Sequence, residues 1–128
     1  MEEKKYTILV VDDSAIMLRT MKTMLESEYN VMLATSASKA MIAMGKQKPD
    51  LIILDYEMPI CDGKMALEMI RAEEELADIP VFFLTGIADE DHIKSVLNLH
   101  PEGYFLKPPD AIKILFAIAN QMSKKNKM

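Results

Sequence analysis

Tryptophan is absent from this chain and cysteine occurs once, as Cys61. No intramolecular disulfide can therefore form, and nothing suggests the cross-linked scaffold of a small secreted domain. A reducing, cytoplasmic setting fits. Long apolar runs are missing as well: none approaches the roughly 20 residues a membrane helix needs. The run that follows the charged start "MEEKKY" is also far shorter than a signal-peptide core. A soluble protein without a membrane partner is expected. Excess positive charge is lacking too, since 15 Lys and Arg stand against 20 Asp and Glu for a net charge of -5, which disfavours nucleic acid as a partner. The one basic run, "SKKNKM" at the end, reads as a solvated, frayed terminus. No Cys/His spacing suggests zinc, and His92 and His100 are expected to face solvent or cap a helix.

What is present is apolar bulk in a regular order. Half of the 128 residues are hydrophobic, the right amount for one domain over 1–128 with an ordered core of about 5–123. Short runs rich in branched residues alternate with segments of helical period. "YTILVV" precedes "SAIMLRTMKTMLES", in which Met17, Met21, Met24 and Leu25 share a face. "YNVMLA" precedes "SASKAMIAMGK", where Ser36 is a plausible N-cap. "DLIILD" precedes "DGKMALEMIRAEEE", and "IPVFFLT" precedes "DEDHIKSVLNL". "GYFLK" precedes "PPDAIKILFAIANQMSKK". The runs "DLIILD" and "IPVFFLT" are apolar throughout, the mark of strands covered on both faces. Five strand and helix pairs in strict alternation predict a doubly wound α/β fold, a parallel sheet with helices on both faces. Ligands in such folds bind outside the carboxyl ends of the strands.

Those ends carry the chemistry. The first strand runs into Asp12 and Asp13, the third ends in Asp55, the fourth in Thr85 and the fifth in Lys107. Three crowded carboxylates need a cation, and oxygen-only ligands suit a hard ion such as Mg²⁺, with Mn²⁺ able to substitute. A strand-end carboxylate beside a metal, a lysine and a hydroxyl is equipped as a nucleophile toward phosphorus. Asp55 is the expected acceptor, because its strand is the third of five and the most apolar. Helix capping by Asp12 and Asp13 is the plainer reading, and it loses ground once Asp55 and Lys107 are read beside them.

These fragments, "VVDD", "LIILDYEMPICDG", "FFLTG" and "GYFLKP", stand in an order that resembles the receiver domain of two-component response regulators over essentially the whole chain. The resemblance implies a flavodoxin-like sheet of order 2-1-3-4-5 flanked by five helices. It further implies that Asp55 is phosphorylated from a sensor histidine kinase or a histidine phosphotransfer protein. Asp13, Asp55 and the backbone carbonyl of Glu57 would ligate Mg²⁺, with Asp12 acting directly or through a water. Thr85 and Lys107 would hold the phosphoryl oxygens, and Gly86 would leave room for the group. Tyr104 falls where the family carries an aromatic that swings inward as the threonine moves, and the Lys107–Pro108 bond is expected to be cis. The protein would then be a phosphoprotein of signal transduction that catalyses only its own phosphorylation and dephosphorylation. Its output would be a downstream protein target or a homodimer, met through the fourth helix, fifth strand and fifth helix.

Some positions depart from the family pattern or add to it. Pro109 stands where many relatives have an aromatic, and can serve as the first residue of the last helix. Glu57 and Ile87, two residues beyond Asp55 and Thr85, flank the approach of hydrolytic water. In the last helix Ala111, Ile114, Leu115, Ile118 and Met122 suffice for the core, while Ile112, Phe116 and Ala119 form a second stripe, either a wide buried face or a partner surface. Cys61 reads as an inert thiol and "RAEEELAD" as a solvated helix end. Two other classes compete. A haloacid-dehalogenase-type phosphatase also works through an aspartyl phosphate, but it carries a second Asp where Glu57 stands, and a cap domain for which no segment is long enough. A flavin carrier would need a Ser, Thr or Gly rich loop where "DDSAIM" stands.

Overall fold

The computed structural model describes residues 5–126 of the chain, so "MEEKKY" and "SKKNKM" fall partly outside the described residues. The strands are β1 (Thr7–Val11), β2 (Asn30–Ala34), β3 (Leu51–Asp55), β4 (Val81–Thr85) and β5 (Gly103–Leu106). Between and after them run α1 (Ala15–Leu25), α2 (Ala37–Lys46), α3 (Gly63–Ala72), α4 (Glu90–Leu97) and α5 (Ala111–Asn126). All strand pairs are parallel and the order is β2-β1-β3-β4-β5. The three inner strands are buried at every residue, which is why their sequences do not alternate.

Side chains of a strand point to opposite faces in turn, and the core divides accordingly. Leu9, Val11, Ile52, Leu54 and Phe83 pack with α2, α3 and Val96 of α4. Ile8, Val10, Ile53, Phe82 and Leu84 pack with Leu18, Met21 and Leu25 of α1 and with Ile114, Ile118 and Met122 of α5. Side-chain caps start the helices: Ser14, Ser36, Asp62 and Asp89 each accept a backbone N–H of the first turn of α1, α2, α3 and α4. Each satisfies a donor that the helix itself leaves free.

Four sequence expectations change here. Pro109 does not open α5; the helix begins at Ala111, because Asp110 caps it, accepting Lys113 N at 3.2 Å. The stripe of Ile112 and Phe116 is not a wide buried face, for these residues are 81% and 69% exposed while Leu115 is only half-buried. The basic end is less frayed than expected: α5 continues to Asn126, and Lys125 Nζ lies 2.6 Å from Asp50, whose other oxygen accepts Thr7 N at 2.8 Å. Nor is "RAEEELAD" merely solvated. Arg71 donates to the carbonyls of Ala77 and Ile79 at 3.1 and 2.7 Å and pairs with Glu102 at 3.1 Å, so it clasps the turn that leads into β4.

Ile118→Ala is expected to cost about 2–5 kcal/mol in urea unfolding, the range for emptying a buried aliphatic site. Ile112→Ala, six residues earlier on the exposed stripe, should stay within about 0.5 kcal/mol of the unsubstituted protein.

Candidate functional site

The parallel sheet delivers the ends of β1, β3, β4 and β5 to one edge, and the side chains there meet. Asp12 follows β1, is buried, and accepts Ser14 N on Oδ1 at 2.9 Å, while its own N–H reaches Ala34 O at 3.1 Å. Asp55 closes β3, is equally buried, and accepts Glu57 N on Oδ1 at 3.2 Å. Lys107 follows β5, fixed by its N–H on Thr85 O at 2.8 Å, and its peptide bond to Pro108 is cis. Its ammonium lies 3.0 Å from Asp12 Oδ2 and 3.1 Å from Asp55 Oδ1. Asp13 is exposed, yet one of its oxygens lies within 4.8 Å of an oxygen of Asp12 and of Asp55.

The electrostatics of this edge are frustrated. Burial and then the negative charge of Asp12 push the Asp55 carboxyl up to about 7, against the pull of Lys107 and the Glu57 amide. Burial would lower Lys107, but the nearby carboxylates of Asp12 and Asp55 prevail and its ammonium is held above the usual range. One positive charge serves two buried acids and a third at the rim. Among the described residues, Asp12 Oδ2 and Asp55 Oδ2 have no hydrogen-bond partner, Asp12 Oδ2 facing Lys107 only as an ion pair. Two buried carboxylate oxygens with free lone pairs, converging with a third, exposed acid at the rim, are the donor set that a hard divalent cation takes. Asp12, Asp13 and Asp55 can hold one.

Thr85, at the end of β4, is fully buried and donates its hydroxyl proton to Glu57 Oε2, while Gly86 N donates to Glu57 Oε1 at 2.7 Å. Ile87 N and His92 Nε2 approach the Thr85 oxygen, each at 3.2 Å. The expectation that His92 faces solvent or caps α4 is corrected here. It is half-buried, bonded to Thr85 and edge-on to Tyr56 at 4.7 Å, while Asp89 caps the helix. No local sequence signal marks His92, because it meets Thr85 only where residues 86–89 turn back. Tyr104 is half-buried against the core and donates to Ile87 O at 3.3 Å. Burial, then Asp62, raises the Cys61 thiol above its ordinary value, which leaves it less of a nucleophile.

A five-stranded 2-1-3-4-5 sheet with an acid cluster and a lysine at its carboxyl edge is the architecture of a phosphoryl-receiving α/β domain. The family model for the response regulator receiver domain matches residues 8–119, and the chain belongs to that family. It is 30% identical over 118 residues to the sensor histidine kinase TmoS of Ectopseudomonas mendocina, covering 92% of this chain and 12% of that one. It is 34% identical over 117 residues to the probable transcriptional regulator ycf29 of Porphyra purpurea, covering 90% and 56%. The chain thus spans only part of either relative. Among solved structures, the N-terminal domain of a response regulator receiver protein from Methanoculleus marisnigri is 35% identical with a TM-score of 0.74, covering 91% of this chain and 96% of that one. The receiver domain of an HD domain-containing protein from Pseudomonas fluorescens Pf-5 shares the fold at 24% identity and a TM-score of 0.87, over 98% and 100%.

The raised Asp55 carboxyl sets a pH dependence in metal-free buffer. Unfolded, the group releases its proton near about 4; folded, it holds it to about 7. The native state binds more protons between these values, so this group's contribution is complete below about 4 and is lost as pH rises through about 7. Asp55→Asn should therefore be more stable than the unsubstituted protein at pH 8, by about 1–3 kcal/mol in denaturant titrations, with the difference shrinking toward pH 5.

Proposed function

We propose that this chain, read as a single receiver domain over 1–128 in the cytoplasm, is a phosphorylation-driven switch. Asp55 accepts a phosphoryl group from a phosphohistidine of a sensor histidine kinase or a histidine phosphotransfer protein. The observation that carries this reading is the Lys107 ammonium at 3.0 and 3.1 Å from two buried carboxylates, with Asp13 within reach of both. Two acids are kept dry beside one lysine, an arrangement unfavourable for stability alone and suited to a reacting centre.

The chemistry follows from the residues in place. A carboxylate oxygen of Asp55 attacks phosphorus; the new P–O bond forms as the P–N bond to the donor imidazole breaks, and the imidazole keeps the electron pair. The dissociative character of such transfers leaves positioning and charge neutralisation as the main demands. Mg²⁺ or Mn²⁺, held by Asp12, Asp13, Asp55 and the backbone carbonyl of Glu57, would supply positive charge to the acids and to the phosphoryl oxygens. Lys107 takes a further share, and the Thr85 hydroxyl and Gly86 N–H are donors on the opposite side. The protein acts on itself, not on a separate substrate.

The output runs through Thr85 and Tyr104. Phosphorylation adds roughly -1.5 to -2 charge and three strong acceptors. Any change in the partners of Thr85 is felt at Ile87, whose N–H reaches Thr85 and whose carbonyl receives Tyr104. Leu97, Leu106, Ile112 and Phe116 stand exposed on α4, β5 and α5, the face through which a downstream protein or a second copy would read that change. No contact with nucleic acid or membrane is part of this reading.

Incubation with acetyl phosphate and Mg²⁺ should add the mass of one phosphoryl group to the protein and none to Asp55→Asn, with no turnover of a chromogenic phosphomonoester. An unchanged mass would remove the reading; steady phosphomonoester turnover would favour the phosphatase. Lys107→Ala should slow labelling by at least about tenfold while leaving Mg²⁺ binding measurable.

A further inference from the structure

Glu57 is not part of the metal carboxylate cluster, and its side chain is not left in solvent. Both of its oxygens are used: Oε1 accepts Gly86 N at 2.7 Å and Oε2 accepts the Thr85 hydroxyl. A hydroxyl has one proton to give and two lone pairs to receive with. Thr85 has given that proton to Glu57, and its lone pairs face Ile87 N and His92 Nε2, each at 3.2 Å. For His92 this requires the proton to sit on Nε2. The Thr85 hydroxyl is thereby saturated, and the Gly86 N–H, with its single hydrogen, is spent as well.

We propose that the Glu57 carboxylate is the resident anion of the Thr85–Gly86 donor pair, so that a phosphoryl group arriving on Asp55 must displace it. The inference rests on the reading of Asp55 as the acceptor. A phosphoryl oxygen cannot gain either hydrogen until Glu57 releases it, because each donor has only one to offer. The carboxylate is tethered two residues from Asp55, and an intramolecular ligand of this kind competes at high effective concentration. Charge-assisted bonds of this type are also among the stronger ones. Phosphorylation in this chain is therefore an exchange of one anion for another on the donors of β4, not the filling of open sites. Glu57 sets how readily the site accepts a phosphoryl group.

Beryllofluoride, a phosphoryl mimic, tests the competition when titrated in the presence of Mg²⁺ against the unsubstituted protein, Glu57→Gln and Glu57→Ala. Glu57→Ala should bind about tenfold tighter than the unsubstituted protein, the worth of a charged hydrogen bond no longer to be broken. Glu57→Gln should fall between them, since its amide oxygen still accepts Gly86 N while the charge is gone. Equal tightening in both variants, or none, would mean that Glu57 acts only as a remote charge or not at all, and would overturn the proposal. The Gly86 amide proton, followed by NMR in ligand-free protein, reports occupancy directly and should move upfield in Glu57→Ala. An unmoved Gly86 resonance overturns the proposal whatever beryllofluoride does. Failure of all three proteins to bind beryllofluoride, with Gly86 still responding to residue 57, would instead sink Asp55 as acceptor and leave Glu57 as the anion of that pair.

Discussion

Two buried carboxylates share one ammonium at the carboxyl edge of this sheet, and much of the molecule is arranged around that shortage of positive charge. Asp12 and Asp55 sit at the ends of adjacent strands, where burial and proximity both oppose ionisation. Lys107 reaches them from the far edge strand, and its backbone is anchored on Thr85. The apolar strands that carry these residues hold them rigidly, so the acids cannot relax apart. A polar edge built on a dry, well-packed sheet retains charges that a looser scaffold would release to water.

The same edge has a second half, on the side of β4, built on hydrogen-bond donors. There the problem is inverted, because Thr85 and Gly86 are donors that need an acceptor, and Glu57 supplies it from the loop after β3. The two halves are joined by a short stretch of chain: Asp55 belongs to the first and Glu57 to the second, with Tyr56 between them packed on Phe83 and His92. A change at Asp55 is thus placed to be felt at Thr85, then at Ile87 and Tyr104.

Much of the fold was legible because its signals are local. Strand-length apolar runs alternating with helical period, and capping residues such as Ser36 ahead of them, report the backbone state of their own neighbourhood. Element ends were less legible: Pro109 is compatible with a first helical turn, and only the Asp110 side chain folding back on Lys113 moves the start to Ala111. Exposure on α5 was ambiguous for a different reason. Ile112 and Phe116 are as apolar as the core residues beside them, and the period says which residues share a face but not how many faces are covered. Arg71 and Lys125 looked like solvated charges, and found Glu102 and Asp50 only because strands distant in sequence pass close to them.

By itself, the sequence determined the order of elements and the kind of side chain carried at each strand end. In a parallel sheet with right-handed crossovers, all those ends must emerge on one side. That is enough to assemble Asp12, Asp13, Asp55, Thr85 and Lys107 without coordinates. Only the tertiary structure decided what lies between them: that Glu57, in the loop after β3, turns its carboxylate onto Thr85 and Gly86, and that the loop before α4 brings His92 of its first turn inward to meet the same hydroxyl. Residue type and spacing encode the periodic elements, whereas the path of a loop is settled by which unsatisfied donors and acceptors lie within its reach once the sheet is in place.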